Sequence, residues 1–317
     1  MEAKKVCCPL PLCGASQTLL DDHLKATVLT EHYTGKIGTK PILHPPQDLC
    51  HVVEAATTSS GPRKLALPFK TVDLSGTDLP DIRKSCRSRS YPLLIPPTIR
   101  TDLLQIYNTS WLTGDFPSCW KSSVPFLIAK PGKNPTLPLA YRLMALLSCI
   151  GKLMEWLVTT QMPWWMENSH LLREAQCGFH PCCSTLHILT QIKYHTCNSY
   201  HPQQTTMSAL FLDLEGAFDT TSHEGVLYKL AHMGITGTPP ARVKSFLSGR
   251  FSQVSVGASM SASLPIQRGI PQCSILSPLL FNVLLSNLHV PCHSHLLIVS
   301  RAVIQSESQR RQQLRTG

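Results

Sequence analysis

The sequence predicts a mixed α/β fold, in which helix-rich chain is followed by antiparallel strands backed by helices. Three observations lead there. Apolar residues recur at helical spacing in two long segments: Leu103, Leu104, Tyr107 and Trp111 share one face, and Leu146, Ile150, Leu153, Met154, Leu157 and Val158 another. Two β-rich runs, "SSVPFLIA" at 122–129 and "MSALFLDLE" at 207–215, have strand length and composition. Finally, "FSQVSVGASMSASLPIQRG" at 251–269 alternates around a glycine-containing turn, the pattern of paired antiparallel strands.

Composition narrows the class. The 317 residues suit two domains, and an apolar fraction of 43% excludes a wholly disordered chain. Twenty-five prolines require much loop or extended structure. Lys and Arg exceed Asp and Glu by 29 − 19 = 10, a balance suited to a polyanionic partner such as nucleic acid and also to ordinary surface charge. The 13 cysteines are odd in number and irregularly spaced, and "MEAKKVCCPLPLCG" has no apolar signal core. Free thiols in a reducing, intracellular compartment follow as the expectation. The longest apolar run, "CSILSPLLFNVLLSNLHV", is broken by Ser, Pro and Asn, so no membrane helix is expected.

Element by element, residues 1–99 are the least patterned and are read as a degenerate or loosely ordered upstream region. They hold "TTSSGPRK" at 57–64, the basic "KSCRSRSYP" at 84–92 and two short helical candidates, "TLLDDHLKATVL" and "VDLSGTDLPDIRKS". Residues 100–205 form a second segment. Here "TIRTDLLQIYNTSWLTG" reads as a helix stopped by Gly114, and "SSVPFLIAKPGKNP" as a strand entering a loop that exposes Lys130 and Lys133. "MALLSCIGKLMEWLVTTQMPWWMEN" and "STLHILTQIKYHTCNSY" read as helices. Residues 206–290 come next: strand "MSALFLDLE", a helix through "EGVLYKLAHMG" that buries Val226, Leu227, Leu230 and Met233, and a short helix "VKSFLSGR". The alternating strands succeed these, then a helix begun by Pro271 and Gln272. Residues 291–317 read as a polar, basic tail.

The stretch "FLDLEGAFDTTSH" poses the chemical question. An apolar strand runs into Asp213, with Glu215 and Asp219 just beyond, and buried carboxylates are costly without a compensating cation or hydrogen bonds. In order and approximate spacing, "IYNTSWLTGDFPSCWK", "IAKPGKNPTLPLAYRLMALLSCIGKLMEWLV", "LLREAQCGFHPCCST", "FLDLEGAFDTTSHEGVLYKLAHMGITG" and "IQRGIPQCSILSPLLF" resemble the motifs of the reverse transcriptase domain of non-LTR (LINE-type) retrotransposons. The resemblance covers roughly residues 100–289. It implies a polymerase-like right hand, with helical fingers in 100–205 and a partial antiparallel palm sheet in 206–290, and no thumb.

The resemblance further implies RNA-directed DNA synthesis with an RNA template, a DNA primer and deoxynucleoside triphosphates as partners, and Mg²⁺ as cofactor. Such transfer uses two metals roughly 4 Å apart, held by hard oxygen ligands. Asp213 would be the catalytic, metal-bridging carboxylate, with the Leu214 carbonyl as a further ligand. Phe218 would lie under the nucleotide sugar, Gln272 would touch the nucleotide, and Lys130 and Arg142 would hold phosphates. Glu215 is left to capping or solvent and Asp219 to ordering its own turn.

The sequence also departs from the family. The family carries two adjacent aspartates on a hairpin after the Pro-Gln helix, whereas Asp219 is the last aspartate here and Glu224 and Glu307 are the only later acids. Cys273 stands for a glycine, Leu143 for a proline and His180 for an arginine. The expectation is a truncated, degenerate and catalytically dead domain, with a non-catalytic nucleic-acid-binding remnant as the alternative. A zinc module built on Cys177, His180, Cys182, Cys183 and His187 competes poorly, because its ligands lack the usual paired spacing.

Overall fold

A computed structural model describes residues 12–13, 18–19, 21–38, 47–59, 97–172, 176, 178–179, 183–198, 209–212, 214, 216–286 and 297–300. It is a mixed helix and sheet structure in two units, Met1–Trp165 with Phe218–Ser277 and Met166–Ala217 with Pro278–Gly317.

The larger unit opens with a two-residue antiparallel pair, β1 (Leu12–Cys13) and β2 (Thr18–Leu19). Helices α1 (Asp22–Gly38) and α2 (Gln47–Thr58) follow. Then α3 (Pro97–Thr113) buries Tyr107 and Trp111 completely, as their four-residue spacing dictates, and Gly114 ends it. Strand β3 (Ser122–Ala129) pairs antiparallel with β4 (Tyr141–Leu146). Helix α4 (Cys149–Asn168) begins only after that strand. The expected helix through Met144 and Leu146 is thus corrected: Leu146 lies opposite Val124 in the sheet, and Ile150 is exposed. An apolar run beside a free strand edge gains more from ladder hydrogen bonds than from an extra helical turn. Gly151 lets α4 approach closely, since a Cβ there would meet Cβ of Trp120 at 3.1 Å.

After the break, α6 (His223–His232) buries Val226, Leu227 and Leu230 and is capped by Ser222, which accepts from the Gly225 N–H at 3.1 Å. Helix α7 (Thr238–Leu247) joins it, and α2 packs against both. Short strands β6 (Arg250–Ser252), β7 (Ser255–Val256), β8 (Ser259–Met260) and β9 (Leu264–Ile266) complete the unit. Its main sheet runs β4-β3-β6-β9, with β3 and β6 parallel and the other neighbours antiparallel.

Among the described residues, two packed regions hold these layers. Helix α1 lies on β7, β8 and β9, where Ala26, Leu29 and Tyr33 meet Leu127, Tyr141, Val254 and Val256. The Tyr33 hydroxyl donates to the Tyr141 carbonyl at 2.7 Å, and Thr30 to Ser261 Oγ at 2.7 Å. In the second core, buried Arg242 of α7 donates to Ser110 Oγ at 2.9 Å and sits over the Trp111 ring. Burial lowers its guanidinium to about 9, with Asp115 opposing the shift.

In the smaller unit, α5 (Thr185–Asn198) leaves Leu186, Leu189 and Tyr194 exposed. Strand β5 (Ala209–Leu212) pairs with β10 (Leu297–Ser300) in parallel. The expectation of a purely antiparallel sheet therefore does not hold, because a long crossover separates these two strands and permits parallel pairing. Helix α8 (Ser277–Leu285) carries Asn282, whose Nδ2 donates to the Gly178 carbonyl at 2.6 Å and whose carbonyl accepts from Gln176 at 3.0 Å. Among the described residues, no helix is long and apolar enough to cross a membrane. Cys50, Cys119, Cys183, Cys197 and Cys273 are free thiols, whereas Cys149 is disulfide-bonded.

Candidate functional site

In the smaller unit, β5 ends at Leu212, one residue before Asp213. Asp213 and Glu215 lie outside the described residues, as do Cys177, His180 and Cys182, and the Leu143 side chain is likewise outside them. Leu214 is exposed. The partner strand aligns Ser300 with Leu212, and its four residues, Leu297, Ile298, Val299 and Ser300, include no acid.

In the larger unit, the turn "FDTTS" at 218–222 is clamped by residues 269–272. The Phe218 carbonyl accepts from the Ile270 N–H at 2.8 Å, and the Thr221 carbonyl from the Gly269 N–H at 2.9 Å. Gly269 has φ +81°, and a Cβ there would fall 2.7 Å from the Asp219 carbonyl oxygen, so only glycine fits this approach. His223, at the start of α6, donates from Nε2 to the Gly269 carbonyl at 2.7 Å. Burial lowers its pKa, partly opposed by that same bond, so it sits as the neutral imidazole.

Gln272 is held on two sides. Its Nε2 donates to Asp219 Oδ1 at 2.7 Å, and its carbonyl accepts from the Ala145 N–H of β4 at 3.2 Å. Pro271 and Gln272 thus belong to a turn; the helix expected to begin at them begins at Ser277, where Ser274 Oγ accepts from the Leu276 and Ser277 N–H groups. Buried Glu155 of α4 secures this loop, accepting from Ser274 Oγ at 2.6 Å and from the Ile275 N–H at 2.8 Å. A cleft of about 60 Å³ lies here, lined by Ser123, Ser252, Asp219, Arg268 and Gln272 among others.

Cys273 takes φ +77°, a left-handed backbone that favours glycine. Burial pushes its thiol up to about 11, with Lys152 opposing; burial in turn lowers the Lys152 ammonium, opposed by Cys273 and Glu155. Phe218 is half-buried beside this loop. Lys130 closes its own loop instead, donating from Nζ to the Leu139 carbonyl at 2.9 Å, and Arg142 lies half-buried on β4 opposite Ile128. Among the described residues, no group of three or more His, Cys, Asp or Glu side chains could hold a metal ion.

Sequence reasoning passed over Asp219 as a partner of Gln272, and over Gly269, Glu155 and Lys152. The signal for Glu155 is its place in "GKLMEWLV", within a stretch that carries the family resemblance.

Residues 128–304 match the family described as reverse transcriptase (RNA-dependent DNA polymerase). This chain belongs to the reverse transcriptase family. The match spans β5, the Asp219 turn, Gln272 and β10. Among its relatives is the "RNA-directed DNA polymerase from mobile element jockey" of Drosophila melanogaster, 31% identical over 272 residues, which is 80% of this chain and 28% of that protein. The "Probable RNA-directed DNA polymerase from transposon BS" of the same species is 30% identical over 202 residues, 64% of this chain and 22% of the relative. The "Retrovirus-related Pol polyprotein from type-1 retrotransposable element R2" of Popillia japonica is 28% identical over 180 residues, 56% of this chain and 24% of the relative. The domain is thus a reverse transcriptase domain of the non-LTR, LINE type, and the chain spans about a quarter of the length of these curated relatives.

Proposed function

We propose that this chain is a reverse transcriptase domain that keeps the nucleotide side of its cleft and the basic surface for template and primer but has lost polymerase chemistry. In this reading β3, β4 and the preceding helices serve as fingers, and the strands and helices after residue 206 as a partial palm. Gln272 and Phe218 face the incoming deoxynucleotide, and Lys130 and Arg142 lie toward phosphates. The relatives' names carry RNA-directed DNA synthesis, and the net charge of +10 favours an RNA template and DNA primer as partners.

One observation supports the loss of chemistry above the others. The strand paired with β5 aligns Ser300 with Leu212 and contains no acid, and the sequence beyond Asp219 holds no aspartate, only Glu224 and Glu307, to supply the family's twin carboxylates. Two magnesium ions need several hard, anionic oxygens against their hydration, and Asp213 with the Leu214 carbonyl does not fit that demand. No catalytic step through a metal is derived for this chain.

The test is primer extension on poly-rA/oligo-dT with Mg²⁺ or Mn²⁺. The expected result is no incorporation; incorporation abolished by Asp213→Ala would overturn the reading. The second reading, a remnant that binds nucleic acid alone, is favoured by the charge balance. It predicts salt-sensitive retention on RNA with no affinity for deoxynucleotides.

A further inference from the structure

The Asp219 carboxylate leaves its own segment and reaches 53 residues along the chain, to Gln272, at 2.7 Å. A carboxylate only accepts hydrogen bonds, so an amide facing it must present its nitrogen. This removes the two-fold ambiguity of a carboxamide and leaves Oε1 as the acceptor that Gln272 offers elsewhere in the cleft they both line. The backbone around both residues is fixed independently. Ile270 and Gly269 donate to the Phe218 and Thr221 carbonyls, Ala145 donates to the Gln272 carbonyl, and Glu155 holds the loop beyond. The contact is therefore between two side chains on prepositioned backbone.

We infer that Asp219 is a positioning residue, whose carboxylate locks the Gln272 amide in one orientation and so sets the hydrogen-bonding polarity that the cleft shows to a nucleotide. This rests on the reading of Gln272 as a nucleotide contact. It assigns Asp219 no contact with the nucleotide and no role in metal binding.

The experiment is a double-mutant cycle on the full chain, read by fluorescence anisotropy of fluorescein-labelled deoxyuridine triphosphate. Asp219→Ala is expected to weaken binding about tenfold, the size of effect associated with losing a hydrogen bond to a charged group. Asp219→Asn keeps an acceptor oxygen and is expected to stay within about threefold of wild type. Gln272→Ala is expected to weaken binding, and Asp219→Ala in that background to add nothing further. A purely structural role would give no rescue by Asn and would persist without Gln272. Full additivity, or an unchanged Asp219→Ala, overturns the inference and leaves Gln272 as a nucleotide contact. If wild type fails to bind, or Gln272→Ala binds as well as wild type, the underlying reading falls and the inference with it. A second measurement needs no nucleotide: the Gln272 side-chain amide in ¹⁵N spectra is expected to shift and exchange faster in Asp219→Ala but not in Asp219→Asn. An unaltered resonance in both overturns the lock itself.

Discussion

At the scale of single residues, Cys273 records a mismatch between side chain and backbone. It holds φ +77°, where an L-residue with a Cβ pays about 1–2 kcal/mol relative to the right-handed region. Its thiol offsets part of that by contact with Met144 Sδ at 3.2 Å. Cys273→Gly is expected to raise stability by about 0.5–1 kcal/mol, read from the urea midpoint at unchanged slope. His223 makes a separate prediction. Its folded pKa lies below the ordinary 6.5, so the unfolded chain binds more protons as the solution becomes acidic. The stability from the neutral imidazole is present above about pH 6.5 and is lost as pH falls below it. Melting temperatures between about pH 7.5 and 5.5 should drop in wild type and drop less in His223→Gln, whose amide still donates to the Gly269 carbonyl.

Elements respond to the contacts that tie them together. Glu155 binds the loop before α8 to α4 through three donors, the weakest being the Leu276 N–H at 3.4 Å. Glu155→Ala strands those buried groups and removes a counter-charge from buried Lys152, so it is expected to cost about 2–4 kcal/mol. Glu155→Gln, which keeps an acceptor, should cost less than half as much. At this scale much was legible: the faces of α3 and α6 obey the 3.6 period, β3 buries every second residue from Ser123 to Leu127, and the unbroken apolar run ahead of Asp213 is a strand. The boundaries that failed share a cause. Met144, Ala145 and Leu146 are as helix-compatible as the first turns of α4, and only the β3 edge makes them a strand. Pro271 resembles a helix start, but the start signal that prevails is Ser274 capping Ser277, three residues ahead of it. The Asp219–Gln272 contact was illegible for a different reason: no local pattern reports a partner 53 residues away.

For the whole molecule, the resemblance motifs gave the family, while the pairing of β5 with β10 and the packing of α1 came only from tertiary structure. Tyr33 shows how firmly α1 is built in. Its hydroxyl donates to the Tyr141 carbonyl and to the Pro138 carbonyl at 3.1 Å, and Tyr33→Phe should cost about 1–1.5 kcal/mol in chemical denaturation.

The distance along the chain between Thr30 and its partner Ser261 sets a schedule for biosynthesis. At roughly 5–20 residues per second, covering that separation of 231 takes on the order of 10–50 s, during which α1 can meet Leu127 and Tyr141 but lacks the rest of its seat, Val254, Val256 and Ser261. A nascent chain of this kind is a natural client for holdase chaperones. Ribosome-bound intermediates stalled before Ser261 should be cut by protease within α1, whereas those stalled after Ser277 has left the exit tunnel should resist.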